Sequence, residues 1–556
     1  MATPEETLSR AHSAFRDHHW ADAADCFRAA SEADELELDD AERFAWSLVR
    51  SGAAPDECLD ALERLEKVSR LSGDGRRAAR AALEQCRLHA LIGSEHVSSA
   101  CWMRGMTHLG DDRRCAEYAL GQTLASYACL LGGDVANAAN IARACLDIDH
   151  EGDRTVEAVA EYILGQTEIL SGEVGAGMRL FDRAMSVVTA GDVDPTYGGI
   201  VYCGLLWACR QIGDWSRASE WFDIAQRWCR RETVADLPAH LDVHRAEMLR
   251  VQGRLADAQQ AALDALDRSS AWGKSLIGWA HHQVGDARLC LGDLRGAREA
   301  FAYAEEAGYE PEPGRSNLLL AEQQPEAALK SISRAIDSAH WYSLSSLAYT
   351  LPVGISAAIA TGRADLARDW CDRLDQLAER YGTLGVTASA LRARGEFALA
   401  ASEAAEAVSR LQAAAEAWKC GGAPYDAARA RMLLGRALHL QGDREGARIE
   451  WMQAHRVFDK AGAGLDLVRT ETLLAEAGHE LDSEVPEGAG VLTKRQREVA
   501  GLIAHGLSNR AIADKLGISP LTAETHVRNI MLQLDATSRT QIAVWAHKSG
   551  LMCEDD

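Results

Sequence analysis

Along most of the chain apolar residues recur three and four positions apart, and polar runs centred on a glycine interrupt them at intervals. That period places the apolar residues on one stripe of an α-helix. The interruptions themselves repeat. Leu-Gly-Gly-Asp ending at Asp134, Ser-Gly-Glu at Glu173, Ile-Gly-Asp at Asp214, Gln-Gly-Arg at Arg254 and Leu-Gly-Asp at Asp293 put their glycines 39 to 41 residues apart. Gln323 takes the turn position early, and then Gly362, Ser402 and Gly442 resume the step. Gly93 and His18 anchor earlier copies.

The residues after each turn define the face that the unit buries. Five positions on stand Ala138, Ala218, Ala258, Ala297, Ala328, Ala367, Ala407 and Ala447. Nine on come Phe181, Phe222, Phe301, Ile332, Leu411 and Trp451, and twelve on come Ala184, Ala225, Ala265, Ala304, Ala335, Ala414 and Ala454. Steps of four and three keep all of them on one stripe, small where two backbones approach and large where a neighbour's groove must be filled. Each unit reads as a helical hairpin that cannot bury its own face, so the units must stack. The expected product is a right-handed solenoid of about eleven pairs.

The register of turn, Ala, large residue and Ala resembles the tetratricopeptide repeat, and Gly165, Gly285 and Gly435, seven before their turns, match its first-helix glycine. A HEAT-like solenoid fits the length but expects no such register. A step near 40 instead of 34 implies longer helices than usual. The likeness covers roughly residues 10 to 478 and implies a surface for partners; by itself it assigns no activity.

The last stretch has a different pattern. Thr493 with Gln496 has capping-box spacing and opens a helix with Val499, Leu502 and Ile503 inward, which His505 and Gly506 end. Ser508 caps a short second helix carrying Ile512, Ala513 and Leu516, and Gly517 allows the left-handed turn that stops it. Ser519 caps a third, with Pro520 in its first turn. That helix turns Ala523, Val527, Ile530, Met531 and Leu534 inward and shows Thr522, Glu524, Thr525, Arg528, Asn529 and Leu532 on the other face. A fourth runs from about Ser538 to Lys548. Two helices about a glycine turn, the second displaying polar side chains, form the geometry of a helix-turn-helix, whose second helix enters the major groove of DNA. Spacing alone also admits one more hairpin capping the solenoid.

The residues Leu492-Thr493-Lys494-Arg495-Gln496-Arg497-Glu498-Val499, Gly506-Leu507-Ser508-Asn509-Arg510, Leu516-Gly517-Ile518-Ser519, Thr525-His526-Val527-Arg528-Asn529-Ile530 and Ser538-Arg539-Thr540-Gln541 resemble the LuxR-type DNA-binding domain over nearly its whole length. The resemblance implies an all-α chain: a tetratricopeptide-like solenoid followed by a small four-helix LuxR-type module that reads double-stranded promoter DNA, usually as a dimer. Carried over by position, Thr525 and Arg528 face bases. Lys494, Arg510, Thr522, His526, Asn529, Arg539 and Thr540 lie near the DNA backbone or hold the fold, and Ser519 opens the reading helix. Glu524 and Gln533 stand where the family commonly has lysine. Glu524 precedes Arg528 by four residues and either pairs with it or accepts from a cytosine amino group.

Charge sharpens this division. Residues 491–553 carry eight Lys/Arg against four acids, whereas the whole 556-residue chain has a formal charge of −24. Nucleic-acid contact is therefore local. The expected domains are a repeat body, 1–478, with effector or partner functions; a linker, 479–490, punctuated by Pro486, Gly488 and Gly490; the basic module, 491–553; and an acidic tail, 554–556. A protein or small-molecule effector on the repeats, a homodimer and a contact with RNA polymerase are the partners this organisation implies. The rival reading is a scaffold whose terminal module contacts protein.

No apolar run is long enough to span a bilayer, and Met1 to Phe15 lacks a secretory pattern, so a cytoplasmic protein without a membrane segment is expected. Fourteen scattered cysteines, with no C-x-x-C, read as buried reduced thiols. Gly273-Lys274-Ser275 has Arg268 where a phosphate loop needs glycine, so no nucleotide-binding loop is expected. His240, His244 and Glu247 share a helical face, yet Leu241 replaces the glutamate of the zincin motif. His281 and His282 diverge on their helix. Neither cofactor nor catalytic machinery is expected. Trp207, Trp215, Trp221, Trp228, Trp272 and Trp279 either pack repeats together or line a groove on the concave face.

Overall fold

The computed structural model describes residues 4–33, 36–148, 153–232, 237–269, 274–338, 347–477, 492, 494–534, 536 and 539–548. The linker 479–490, the tail 554–556 and Trp272 lie outside them. Among the described residues every regular element is helical, and twelve hairpins succeed one another. They are α1 (Pro4–Arg16) with α2 (Trp20–Ala33), α3 (Leu38–Ser51) with α4 (Pro55–Leu71), α5 (Gly75–Leu91) with α6 (Glu95–Leu109), and α7 (Ala116–Gly132) with α8 (Val135–Leu146). Next come α9 (Thr155–Ser171) with α10 (Val174–Ala190), α11 (Pro195–Ile212) with α12 (Trp215–Glu232), α13 (Leu237–Val251) with α14 (Leu255–Arg268), and α15 (Lys274–Leu291) with α16 (Leu294–Glu306). The last four are α17 (Gly314–Ala321) with α18 (Pro325–Asp337), α19 (Leu347–Ala360) with α20 (Ala364–Tyr381), α21 (Leu384–Ala400) with α22 (Ala404–Cys420), and α23 (Pro424–Gln441) with α24 (Arg444–Ala461). A single helix, α25 (Gly464–Glu476), closes the row against α24. The hairpin absent from the expected eleven is α3–α4, which turns at Gly52, one step before Gly93, with Glu57 and Arg64 where the register puts alanine.

The turns show why the sequence repeats. A left-handed residue reverses the chain between helices, and His18 (φ 59°), Gln323 (φ 60°) and Ser402 (φ 62°) adopt it without being glycine. Each stands at a hairpin turn where the sequence lacks glycine. The residue after the turn then caps the second helix. Asp134 accepts from the Asn137 N–H at 3.1 Å, Asp214 from Arg217 at 3.1 Å, and Asp293 and Asp443 each from a glycine N–H at 2.9 Å.

The stripe after each turn is the core. All eight alanines five residues on are at most 2% exposed, and Phe181, Phe301, Ile332, Leu411 and Trp451 are equally buried. Ala335 alone of its set is half-buried. The first-helix glycines make room for the large residue opposite. A β-carbon on Gly165 would stand 2.9 Å from Phe181, and on Gly285 or Gly435 it would stand 2.4 Å from Phe301 or Trp451. Gly395 serves Leu411 in the same way at 2.6 Å.

The row of hairpins winds tightly enough for successive coils to touch. Gly213 meets Gly385, Gly253 meets Tyr425, and Gly292 meets Gly464, each pair 172 residues apart, or a little over four repeats. At the first of these a β-carbon on Gly385 would fall 2.6 Å from the Gly213 Cα, so the seam is backbone against backbone. Arg380 donates to the Leu170 carbonyl at 2.7 Å and Tyr349 to the Arg210 carbonyl at 2.7 Å across the same seam.

This winding buries the tryptophans. Trp215, Trp228 and Trp279 are at least nine-tenths buried, and Trp207 lies edge-on to Trp279 with ring centres 5.5 Å apart. They pack repeats together. His244 sits edge-on to Trp279, and burial pushes its ring down to about 3, while Glu247 is held by Arg210 at 2.6 Å. Of His281 and His282, the first is half-buried and the second buried. Cysteines are mostly buried, with Cys420 the one exposed thiol among the described residues. Among these residues, too, no helix is long and apolar enough to cross a membrane.

Candidate nucleic-acid interface

The basic end forms four helices around its own core: α26 (Lys494–Ala504), α27 (Asn509–Leu516), α28 (Pro520–Gln533) and α29 (Arg539–Lys548). Val499, Ile503, Ile512, Ala523, Ile530 and Ile542 are at most 3% exposed and pack together there. Local chemistry sets the bounds. The Ser508 hydroxyl accepts from the Ala511 N–H at 3.3 Å to start α27, and Gly517, at φ 65°, ends it. Three residues of turn separate α27 from α28, whose first turn is capped by Ser519 accepting from the Thr522 N–H at 3.0 Å.

Two arginines tie the motif together. Arg495 donates to the Leu516 carbonyl at 2.8 Å, covering the end of α27. Arg539 donates to the Asn509 side-chain oxygen at 2.6 Å and to the Leu507 carbonyl, fixing the entry into α27 from α29. The positive charge of each thereby also braces the fold that presents α28.

Helix α28 has two faces. Ala523, His526, Val527 and Ile530 point inward, and Glu524 is exposed on the other side. Thr525, Arg528 and Asn529 share the helix by position, while their side chains, with those of Lys494 and Thr540, lie outside the described ones. Arg510 is exposed at the start of α27, and Thr522 is half-buried. His526 is 6% exposed, and burial, helped by the Arg495 charge against a smaller opposing pull from Glu498, pushes its ring down to about 4. It is a neutral core residue. Its spacing agrees, three after Ala523 and four before Ile530. Arg495 is likewise not among the expected interface residues, and its role is visible only through the carbonyl it covers.

The module does not stand apart from the repeats. Helix α28 comes against α14, and on α24 burial pushes the half-buried Asp459 carboxyl up, eased first by His455 and then by Arg495 of α26, with Glu498 opposing. Helices α14 and α24 are neighbours across the seam, joined where Leu255 packs with Phe458 and Ala461.

Residues 490–546 match the family described as bacterial regulatory proteins, luxR family. The transcriptional regulatory protein LiaR of Bacillus subtilis is 35% identical over 103 residues, 18% of this chain and 48% of LiaR. The nitrate/nitrite response regulator NarL of Escherichia coli K12 is 40% identical over 60 residues, 11% of this chain and 28% of NarL. The HTH-type transcriptional regulator Mb0914c of Mycobacterium bovis is 24% identical over 489 residues, 86% of this chain and 43% of that protein. The chain thus spans less than half the length of these curated relatives. Among solved structures, the Cut9–Hcn1 hetero-tetramer aligns with 98% of this chain and 96% of its own at 14% identity and a TM-score of 0.40. With its core, caps and glycine turn in place, the end of the chain is a LuxR-type helix-turn-helix domain carried behind a tetratricopeptide-like row of helical repeats.

Proposed function

We infer that the chain is a transcriptional regulator that recognises promoter DNA by inserting α28 into the major groove, with the repeat body, 1–478, governing when the basic module, 491–553, does so. The single observation that carries this is the LuxR-family match falling on a module whose two motif helices meet at Gly517, with Ala523, Val527 and Ile530 of the second helix buried and Glu524 exposed. The naming of LiaR, NarL and Mb0914c as regulators supports the same reading.

In this proposal Thr525 and Arg528 read base edges, and Lys494, Arg510, Thr522, Asn529 and Thr540 hold phosphates. Ser519 presents the positive end of α28, while His526 and Arg539 keep the scaffold rigid. Glu524 tunes Arg528 through a pair four residues apart. A second copy on a two-fold operator doubles the contact, and contact between α28 and α14 sets the unoccupied state.

The test is a titration of the full chain against enriched genomic fragments at several salt concentrations. A reader of DNA loses affinity steeply with salt, and Arg528→Ala costs about 1–3 kcal/mol and flattens sequence preference. A module that serves as a protein adaptor yields no enriched fragment and no effect of Arg528→Ala.

A further inference from the structure

The coils of the repeat body touch along most of their seam, but between two of those contacts they part. On one side Arg380 closes over Gly172, and on the other Gly213 meets Gly385. Between them opens a cavity of about 550 Å³, walled by the first turn of α10, the turn into α12, and the turn that joins α20 to α21. This volume lies within the range of small-molecule sites.

The walls divide by chemistry. Met178 and Ile212 form a buried apolar floor, and Leu384, 53% exposed, extends it to the mouth. Arg217 is committed to Asp182 at 3.2 Å and Asp214 at 3.5 Å. Arg179 makes no ion pair among the described residues, and its guanidinium folds back to within 3.6 Å of where a Gly175 β-carbon would stand, over the first turn of α10. That turn is not capped by the Glu173 side chain. Across the cavity the Thr383 hydroxyl is buried, makes no hydrogen bond, and leaves its own helix uncapped as well. An uncommitted cation, the uncapped first turn of α10 and an unused hydroxyl thus stand beside an apolar floor, while the wall carboxylates Asp182 and Asp214 are turned to Arg217.

We propose that this seam cavity binds a small amphipathic oxyanion, a carboxylate or phosphate on an apolar body, with the headgroup on Arg179 and Thr383 and the body on Met178, Ile212 and Leu384. A ligand there bridges two coils of the superhelix at a place where they part, so it stiffens the body that carries the DNA module. The effector role rests on the regulator reading above; the binding does not, and it is measured without DNA.

The probe is anilinonaphthalene sulfonate, titrated by fluorescence into the full chain. One saturable site is expected, weakened about tenfold by Arg179→Glu and by Leu384→Asn, both exposed positions whose replacement leaves the core intact. Uncharged phenylnaphthylamine, of the same shape without the headgroup, binds about tenfold more weakly. Cys420, exposed at the cavity wall, reports the location: saturating probe slows its alkylation about fivefold, read by mass spectrometry. Unchanged affinity in Arg179→Glu, equal binding of the uncharged analogue, or an unprotected Cys420 each overturn the site. Loss of DNA binding in an otherwise probe-competent chain bears on the regulator reading alone.

Discussion

At the scale of single residues, the C-terminal module owes its shape to buried and bracing side chains. His526 is the sharpest case, since a histidine beside Arg528 invites a role on phosphate, yet the ring is buried between α28 and the Arg495–Glu498 pair. Burial disfavours the charged ring, so its pKa falls from the ordinary 6.5 to about 4. The unfolded chain then takes up a proton that the folded one refuses, and stability is full above pH 6.5 and declines as pH drops toward 4. Through linkage the loss reaches roughly 3 kcal/mol for this one ring. A titration of the 13C-labelled His526 ring by NMR should give a midpoint near 4; one near 6.5 places the ring in water and removes the role. The sequence holds the signal, because 526 belongs to the inward spacing of 523, 527 and 530, but polar type masks position.

Elements become legible where local chemistry repeats, and less so where it changes. The left-handed φ of His18, Gln323 and Ser402 comes directly from their place in the step, since the geometry of the hairpin is stronger than the preference of one residue. Gly395 is harder to see in sequence, although it lies seven before Ser402, because a search keyed on glycine turns passes over the repeats that use another residue. The hairpin at Gly52 is hidden for a different reason, since its turn falls on the step but Glu57 and Arg64 stand where the register puts alanine. Pairing across a hairpin is also where a small substitution should be most costly. In Gly435→Ala the helix gains about 1 kcal/mol of propensity, but the new methyl group meets the Trp451 indole, which is 2% exposed and donates to the Met432 carbonyl at 3.1 Å. Overpacking of a fixed ring costs about 1–3 kcal/mol, so the variant should unfold earlier in urea. Replacing Trp451 with Leu in the same chain should remove most of that penalty, and equal penalties in both backgrounds would show that the ring is not what the glycine accommodates.

For the whole molecule, periodicity gives the row of hairpins but not how the row closes, because a contact 172 residues long leaves no mark on a 40-residue step. The same limit applies to the meeting of the acidic body with its basic end. The sequence shows only that the two parts carry opposite net charge; the fold brings α28 against α14 and the Arg495 charge of α26 to Asp459 of α24. In the proposed regulator a helix docked on α14 is held away from a DNA groove, so docking and DNA binding are expected to compete, in part electrostatically. Asp459→Lys replaces attraction to Arg495 with repulsion and should free the module, raising the full chain's affinity for its operator about three- to tenfold at low salt, with the gain shrinking as salt rises. An added lysine also attracts DNA directly. The proper reference is therefore Asp365→Lys, an exposed position on α20 that changes net charge equally without touching this face. If both variants bind alike, the gain is bulk charge and the repeats do not hold the reader; if only Asp459→Lys binds tighter, the body keeps α28 from DNA until something loosens its hold.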